Sequence, residues 1–430
     1  MRRQALAIFE HALAECSISR AFGRCIRLSD GKLEIGECHY DLHDFSQVAV
    51  VSIGKAGHTM ASALSPMLTT NISGIIACPD APKSPIAGFR YFYGGHPLPN
   101  EDSLRAGTAI LELLQGLPPK SLVLFLISGG ASAIAEKPIR ADLTLSDVIG
   151  TNRALVLSGA PIAEINAIRK HLSATKGGGM AKAAASATQM SLLVSDVPDH
   201  SIDALASGPT MPDTSTVADC YLIAQRYELL GRFPERVRSI FANDELIETP
   251  KAGDIAFSNS QFVTVLSNRT AIEAATSHAK ALGFTVEVDN SCDDWDYARA
   301  ADHLLARLRG LRQNSSAICL ISGGEVTVRV ADQSGVGGRN QQFALYCAKK
   351  IAGEQITALS AGTDGIDGNS PAAGALVDGT TVAQAEQRGL DVNTAISRFD
   401  AFPLFEEIGD AIVIGPTGNN VRDLRILLAY

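Results

Sequence analysis

The chain has 430 residues and a formal net charge of −9, with 46% hydrophobic and 19% charged residues. This composition is typical of a folded globular protein, and the length exceeds what one ordinary core supports, so we expect two domains. The negative charge argues against nucleic acid or an anionic membrane as the main partner.

The first half of the chain alternates short apolar runs with segments of helical periodicity. Helices are predicted over residues 4–24, 103–114, 143–157, 162–172 and 180–187. Buried strands are predicted over residues 48–53, 72–77, 122–127 and 191–194. Strands that alternate with helices predict an open, largely parallel sheet, with the connecting loops gathered at the carboxyl ends of the strands.

A polar stretch over residues 211–250, with prolines at 212, 234 and 250, separates this pattern from a second one. Further strands are predicted over residues 262–266, 285–288, 317–321, 357–360 and 411–414, and further helices over residues 269–282, 296–309 and 343–351. The sequence therefore predicts an α/β protein with two domains, a Rossmann-like domain over residues 1–240 and a second α/β domain over residues 250–430.

Three glycine-rich loops crowd into residues 320–368: Ser322–Glu325, 335–341 and 362–368. Glycine permits positive φ and close approach, so the N–H groups of such loops can point at an oxyanion. Arg339 adds a cation suited to phosphate or carboxylate, and Asp364 with Asp367 could hold a hard metal. Backbone donors, a cation and carboxylates are the parts of a phosphoryl-transfer site.

A second candidate anion site lies in the first half of the chain. Lys55 follows a predicted strand and precedes a predicted helix, where the helix dipole disfavours a cation unless an anion compensates it. Residues 126–130 repeat the five residues 320–324, Leu-Ile-Ser-Gly-Gly, after another apolar strand. This repeat predicts a similar anion-binding turn in each half.

Other polar residues admit two interpretations. Arg169 and Lys170 lie late on a helix, where they could bind a carboxylate or simply end a polar helix. Asp196 and Glu325 follow strand ends, where they could serve Mg²⁺ or a hydroxyl, although acidic residues also form plain turns. The chain contains neither a Walker A motif nor GxGxxG, and the second absence weighs against a dinucleotide-dependent reductase.

Taken together, the motifs resemble those of the class II glycerate 2-kinases, whose C-terminal part is the MOFRL domain. They occur in one order with matching intervals: Ile127-Ser128-Gly129-Gly130, Arg169-Lys170-His171-Leu172-Ser173, Lys176-Gly177-Gly178, Ser195-Asp196-Val197, Ala206-Ser207-Gly208-Pro209-Thr210, Ser322-Gly323-Gly324-Glu325, Gly337-Gly338-Arg339-Asn340-Gln341 and Gly362-Thr363-Asp364-Gly365. The likeness extends from about residue 48 to the C-terminus.

The resemblance implies ATP-dependent phosphorylation of D-glycerate at its 2-hydroxyl, in a cleft between two α/β domains. It puts the key lysine and arginine of the family at Lys55 and Arg339. As a hypothesis of our own, Asp196 is a third catalytic residue that orients Mg²⁺ or accepts the hydroxyl proton. The remaining expected roles are as follows: substrate binding by Ser128, Gly129, Gly130, Arg169 and Lys170; nucleotide binding by Lys176, Gly177, Gly178, Gly208, Gly323, Gly324, Glu325, Gly338 and Asn340; Mg²⁺ binding by Asp196, Asp364 and Asp367.

Two other functions stay open at this point. Members of the family are often called hydroxypyruvate reductase, an NAD(P)H-dependent activity. The chain also departs from the family pattern at Ala131, Asp199 and His200, which leaves room for a catalytically silent sugar-acid binding protein. Scattered cysteines and an N-terminus without a signal-peptide pattern favour a cytoplasmic protein with reduced thiols. No membrane or nucleic-acid partner is expected, and a homodimer is compatible with this interpretation.

Overall fold

A computed structural model describes residues 1–68, 72–313, 317–330 and 335–430; part of the predicted glycine-rich region, residues 331–334, lies outside the described residues. Its strands are β1 (Ile26–Ser29), β2 (Lys32–Ile35), β3 (Cys38–Asp41), β4 (Gln47–Ile53), β5 (Ser73–Cys78), β6 (Phe89–Tyr93), β7 (Ser121–Ser128), β8 (Thr188–Val194), β9 (Ser260–Leu266), β10 (Thr285–Val288), β11 (Ile318–Gly323), β12 (Ile356–Gly362), β13 (Gly374–Asp378), β14 (Ala411–Ile412) and β15 (Asp423–Ala429).

Its helices are α1 (Arg2–Glu15), α2 (Ile18–Cys25), α3 (Gly57–Leu64), α4 (Glu101–Gln115), α5 (Ala131–Ile134), α6 (Leu145–Val156), α7 (Ile162–His171), α8 (Gly179–Ala183), α9 (Val217–Arg226), α10 (Glu235–Ala242), α11 (Asn268–Ala281), α12 (Tyr297–Arg312), α13 (Arg339–Lys350), α14 (Thr381–Gln387), α15 (Val392–Ser397) and α16 (Ala401–Ile408).

The chain forms two compact units, unit A over residues 22–265 and unit B over residues 1–21 and 266–430. The predicted fold class, two α/β domains, is confirmed, whereas the boundaries differ from the predicted ones in two places. Helix α1 belongs to unit B, because its buried face packs on α11, β12, β13 and β15. Strand β9, predicted to open the second domain, is instead the last strand of the sheet of unit A.

Unit A is built on a six-stranded sheet in the order β6-β5-β4-β7-β8-β9, in which β6, β5, β4, β7 and β8 are parallel. All eight residues of β7 are buried, which explains its uninterrupted apolar sequence, because a central parallel strand is covered on both faces. A small antiparallel sheet, β1-β2-β3, belongs to the same unit.

Unit B contains a six-stranded sheet in the order β10-β11-β15-β12-β13-β14. The C-terminal strand β15 lies in its middle and runs antiparallel to both β11 and β12, so this sheet is mixed. All seven residues of β15 are buried, although Asp423 and Arg425 are among them. A strand with two buried charges in its core needs specific partners for them, and these partners belong to the candidate site.

All eight cysteines lie within the described residues and none forms a disulfide, as predicted. Within those residues, no helix combines the length and the apolar character that crossing a membrane requires. The predicted placement of the active site in a cleft between the domains stays a prediction.

Candidate functional site

The parallel sheet of unit A has a topological switch point between β4 and β7. From β4 the chain passes outward to β5 and β6, and it then returns to the other side of β4 to form β7 and β8. Loops at the carboxyl ends of the two strands at such a point diverge and leave a crevice for ligands. Lys55 follows β4 and Gly129-Gly130 follow β7, so both predicted anion-binding elements lie at this point.

The two loops are locked together by hydrogen bonds. The backbone N–H of Lys55 donates to the carbonyl of Gly129 at 2.9 Å, and the N–H of Ala56 donates to Ser128 Oγ at 3.0 Å. Gly130 has φ +82°, and a Cβ at this position would lie 3.1 Å from Lys55 Cγ and 2.9 Å from His96 Cδ2. A side chain larger than hydrogen at residue 130 would therefore displace the stem of Lys55 from the turn.

The turn after β7 presents unused hydrogen-bond donors. Among the described residues, no protein acceptor receives the N–H of Gly129 or of Gly130. The carboxylate of Asp196, which follows β8, lies over Gly129, because a Cβ on that glycine would be 1.9 Å from Asp196 Oδ2. The exposed Lys55 completes a group of two backbone donors, one cation and one carboxylate around a single turn. Such a group can bind an anion and accept a proton from a neighbouring hydroxyl.

Ala131, one departure from the family pattern, leaves this turn intact. It is the first residue of α5, and it does not belong to the described non-glycine residues with positive φ. The left-handed residue of the turn is Gly130, which is retained. An alanine at a helical φ costs nothing in backbone strain, so this substitution gives no support to a silent binding protein.

His96, which has no role assigned from the sequence, packs on Gly130 beside Lys55. Burial lowers the pKa of His96, and the positive charge of Lys55 lowers it further. Two potentially cationic groups on one glycine turn make this point of the surface electropositive at low pH. A bound phosphate would favour the protonated imidazole and therefore raise the pKa of His96.

We expect Lys55→Met to raise the pKa of His96, because the substitution removes the charge and keeps most of the stem that covers Gly130. Titration of the histidine ring signals by NMR, in the wild type and in the variant, measures this shift. As a control, Lys83→Met should leave the His96 titration unchanged, since Lys83 is an exposed lysine elsewhere in unit A that has no role in the turn. An unchanged His96 titration in Lys55→Met would show that the two side chains do not interact.

Arg169, on α7, borders the same region. Its Nη2 donates to Ser132 Oγ at 2.8 Å, and it lines with Ser132, Gly130 and His96 a cavity of about 610 Å³. This arrangement supports the predicted role of Arg169 in substrate binding. Its neighbour Lys170 differs from the prediction, because its Nζ forms a 3.0 Å ion pair with the buried Asp213 and is itself buried. Lys170 is therefore a structural residue.

The Lys176-Gly177-Gly178 loop also differs from the prediction of nucleotide binding. Lys176 is buried, and its Nζ forms an ion pair with Glu136. The N–H of Gly177 donates to the carbonyl of Ser207 at 2.9 Å, and the N–H of Gly178 donates to that of Gly208 at 2.7 Å. These donors join two loops of unit A, and Gly208 takes part in the same junction. The sequence pattern alone does not show whether the N–H groups of a glycine-rich loop bind a phosphate or the carbonyl groups of a neighbouring loop.

In unit B, Arg339 is held by two carboxylates. Its guanidinium makes a bidentate contact with Asp423, with Nε–Oδ2 at 2.6 Å and Nη2–Oδ1 at 3.1 Å, and a 2.7 Å contact with Glu325. Burial alone would lower the pKa of Arg339, but the two carboxylates raise it, so the guanidinium stays charged. Asp423 is buried and was missed in the sequence, where it precedes an apolar run with no motif of its own.

Although the turns after β7 and β11 share five residues, they differ in their hydrogen bonds. In the turn after β11, protein acceptors receive all three predicted anion-binding donors, at 2.9 Å each. These pairs are Gly323 N–H with Asn290 Oδ1, Gly324 N–H with Asn268 Oδ1, and Glu325 N–H with Asp293 Oδ1. This turn therefore does not provide the predicted nucleotide cradle. Burial raises the pKa of the Glu325 carboxyl, whose partner is Arg339.

The N-terminus of α13 is likewise occupied by the protein. The Asp367 carboxylate accepts the N–H of Asn340 at 3.1 Å and the N–H of Gln341 at 2.9 Å, and it packs on Gly338. A carboxylate therefore takes the position that the prediction gave to a phosphate. Burial raises the pKa of Asp367 to about 6. Asp367, Gly338 and Asn340 are thus parts of a buried helix cap, and the predicted metal and nucleotide roles do not fit them.

Asp364 remains as the carboxylate near Arg339 that fits a metal. Both residues line a cavity of about 740 Å³ in unit B, a volume within the usual range for small-molecule sites. Within the described part of the chain, no three His, Cys, Asp or Glu residues form a metal cluster. Mg²⁺ in kinases is held by one or two carboxylates together with substrate phosphates, and Asp364 is a residue type that suits such an ion.

Comparisons with known proteins give the family. A model described as a domain of unknown function, DUF4147, matches residues 4–242, and the MOFRL family model matches residues 318–423. The chain is 34% identical over 390 residues to the D-glycerate 2-kinase of Thermotoga maritima, covering 89% of this chain and 91% of that protein. A protein of Agrobacterium vitis called a putative hydroxypyruvate reductase is 38% identical over 387 residues, covering 88% of this chain and 86% of that protein.

The crystal structure of glycerate kinase from Thermotoga maritima superposes with a TM-score of 0.87 at 32% identity, covering 100% of this chain and 99% of that one. The agreement therefore spans both units. The order of motifs, the two matched domains and the shared fold lead to one assignment: the chain belongs to the class II glycerate 2-kinase family.

Proposed function

We propose that the chain is a glycerate 2-kinase that transfers the γ-phosphoryl group of ATP to the 2-hydroxyl of D-glycerate, giving 2-phosphoglycerate and ADP. The observation that carries this proposal is the open Gly129-Gly130 turn beneath Lys55 at the switch point of the parallel sheet. Its free N–H groups and its cation suit phosphoryl and carboxylate oxygens. The names of the relatives support the same reaction.

Charge stabilisation is the main task of such a site, because phosphoryl transfer needs little covalent chemistry from the protein. We assign to Lys55 and Arg339 the stabilisation of negative charge on the transferred group. The 2-hydroxyl oxygen bonds to the γ-phosphorus as the bond to the leaving oxygen of ADP breaks. We assign to Asp196 the acceptance of the hydroxyl proton; the contact of its carboxylate with the Gly129 turn supports this assignment.

The substrate carboxylate is assigned to Arg169 and the Gly129-Gly130 turn. Guanidinium groups bind carboxylates with defined geometry, and Arg169 faces a cavity with room for a three-carbon acid. Mg²⁺, held by Asp196 or Asp364 with the phosphates, would supply further charge neutralisation. Replacing the carboxylate that holds the ion by the amide would then raise the Mg²⁺ concentration needed for half-maximal activity.

The competing reductase has one structural argument against it. A dinucleotide site at the switch point needs glycines that let the pyrophosphate approach the backbone, and the loop after β4 has Lys55 where that approach would occur. A coupled assay for ADP with D-glycerate and ATP, run beside an assay for NADH and NADPH oxidation with hydroxypyruvate, separates the two functions. ADP formation without nicotinamide oxidation is the expected result. Nicotinamide oxidation without ADP formation would overturn the proposal, and binding of D-glycerate with neither reaction would indicate a silent binding protein.

A further inference from the structure

Arg169 carries a positive charge that no carboxylate of the described residues neutralises within 4 Å. Its hydrogen-bond partners are neutral, Ser132 Oγ at 2.8 Å and Asn166 Oδ1 at 3.4 Å. Burial lowers the pKa of Arg169, and the more distant Glu136 opposes this. A desolvated cation without a counter-charge is costly, and an anionic ligand in the adjoining 610 Å³ cavity would relieve that cost.

The orientation of this guanidinium is fixed by a strained loop. Ser132 Oγ meets Ser207 Oγ at 3.0 Å, and Ser207 is buried. Ala206 and Ser207 have φ of +54° and +59°, a left-handed conformation that is strained for a non-glycine residue. Such strain persists where the surroundings require it. Here it keeps Ser207 against Ser132, and Ser132 against Arg169.

Glu136 is the carboxylate that would otherwise neutralise Arg169. The two residues line a common small cavity of about 30 Å³. Glu136 instead bonds to Lys176 Nζ and to Ser173 Oγ, in a pair that is buried on both sides. The Glu136–Lys176 pair has no net charge, because one carboxyl and one amine share it. The positive charge of Arg169 is therefore not paired with Glu136, and it can interact with an anionic ligand.

We propose that Lys176 is a positioning residue that keeps Arg169 available for the carboxylate of a small hydroxy acid by neutralising Glu136. Lys176 does not touch the ligand in this account; it acts through Glu136 and Arg169. The inference rests on the proposed function, because it explains how the substrate carboxylate is recognised. It gives the Lys176-Gly177-Gly178 motif a role different from the nucleotide binding that its sequence predicts.

The test is a series of variants of the full chain in which the charges of Lys176 and Glu136 are removed singly and together. Lys176→Met removes the cation that pairs with Glu136, so Arg169 becomes the nearest remaining partner for the Glu136 carboxyl. The KM for D-glycerate should rise at least about tenfold, because a carboxylate that pairs with Arg169 competes with the carboxylate of the substrate. The KM for ATP should change less than about twofold. Glu136→Gln/Lys176→Met removes both charges, and we expect it to recover most of the lost affinity for D-glycerate.

A double variant as impaired as Lys176→Met would overturn the inference, because Lys176 would then act directly or through packing. Lys251→Met is the control: it breaks another lysine–carboxylate pair of unit A, with Glu248, and should leave the KM for D-glycerate unchanged. Thermal unfolding is followed for each variant. If Lys176→Met does not fold, Glu136→Gln alone decides the question, since it should keep or lower the KM for D-glycerate, and a tenfold rise would contradict the inference.

Calorimetric titration with D-glycerate measures its binding to the Arg169 site in the absence of turnover. A wild type that binds D-glycerate, loses that binding in Lys176→Met and forms no ADP contradicts the proposed function and supports this inference. A wild type that phosphorylates D-glycerate, with a Lys176→Met variant of unchanged KM, contradicts the inference alone.

Discussion

Replacing Lys55 by Met is expected to lower kcat for ADP formation by about a thousandfold or more, the usual effect of removing a charge that stabilises a transition state. The KM values for D-glycerate and ATP should change by less than about threefold, since the ammonium acts mainly on charge that develops during transfer. The methionine keeps the packing of the stem against Gly130, so the free energy of unfolding should stay within about 0.5 kcal/mol of the wild type.

Steady-state kinetics with both substrates varied measures this effect, and Lys83→Met serves as the control for loss of an exposed lysine in unit A. A tenfold or larger rise in KM for ATP at unchanged kcat would show that Lys55 contributes ground-state binding only. A kcat close to that of the wild type would remove Lys55 from the mechanism altogether.

Replacing Arg339 by Ala should have two separate effects. It removes the cation assigned to the transferred group, so we expect kcat to fall by about a hundredfold to a thousandfold. It also leaves the buried Asp423 without its bidentate partner. Because the Arg339 side chain is 37% exposed and water can reach the pair, unit B should lose about 1–3 kcal/mol of stability. Both changes are measurable, by kinetics below the unfolding transition and by urea denaturation.

Arg339→Lys separates the two effects of the alanine substitution. The lysine restores a positive charge for Asp423 but cannot make the bidentate contact, so stability should recover more fully than kcat. Arg388→Ala, which removes an exposed arginine of unit B, controls for the general loss of a cation. A folded Arg339→Ala variant with normal kcat and lowered stability would make Arg339 a structural residue rather than a catalytic one.

The fold of unit A could be predicted well because its central strands are buried on both faces. Their uninterrupted apolar runs, above all Leu122–Ile127, leave a clear signal, and the alternation with helices then limits the topology. Strand β15 was missed although residues 424–429 contain a similar apolar run, because Arg425 interrupts it. That arginine is fully buried, and its Nη2 donates to the carbonyls of Gly323 and Gly324, which only the assembled sheet brings near.

The residues of the candidate site likewise fall into those that the sequence predicts and those that only the folded chain brings together. Lys55 and Gly129-Gly130 could be predicted, because both follow strands that meet at the switch point of a parallel sheet. The turn at Gly323-Gly324 has the same local sequence but a different role. Its donors are taken by Asn268, Asn290 and Asp293, which are distant in the chain from that turn and carry no motif.

Identification of the product is the most direct test of the central claim, phosphorylation of D-glycerate at its 2-hydroxyl. The purified wild type is incubated with D-glycerate, ATP and Mg²⁺, and the product is examined by phosphorus and proton NMR. The account predicts 2-phosphoglycerate, with the phosphorus coupled to the single proton on carbon 2, formed in equal amount to ADP. A product whose phosphorus couples to the two protons on carbon 3, or no phosphorylated product from an enzyme that binds D-glycerate and ATP, would contradict it.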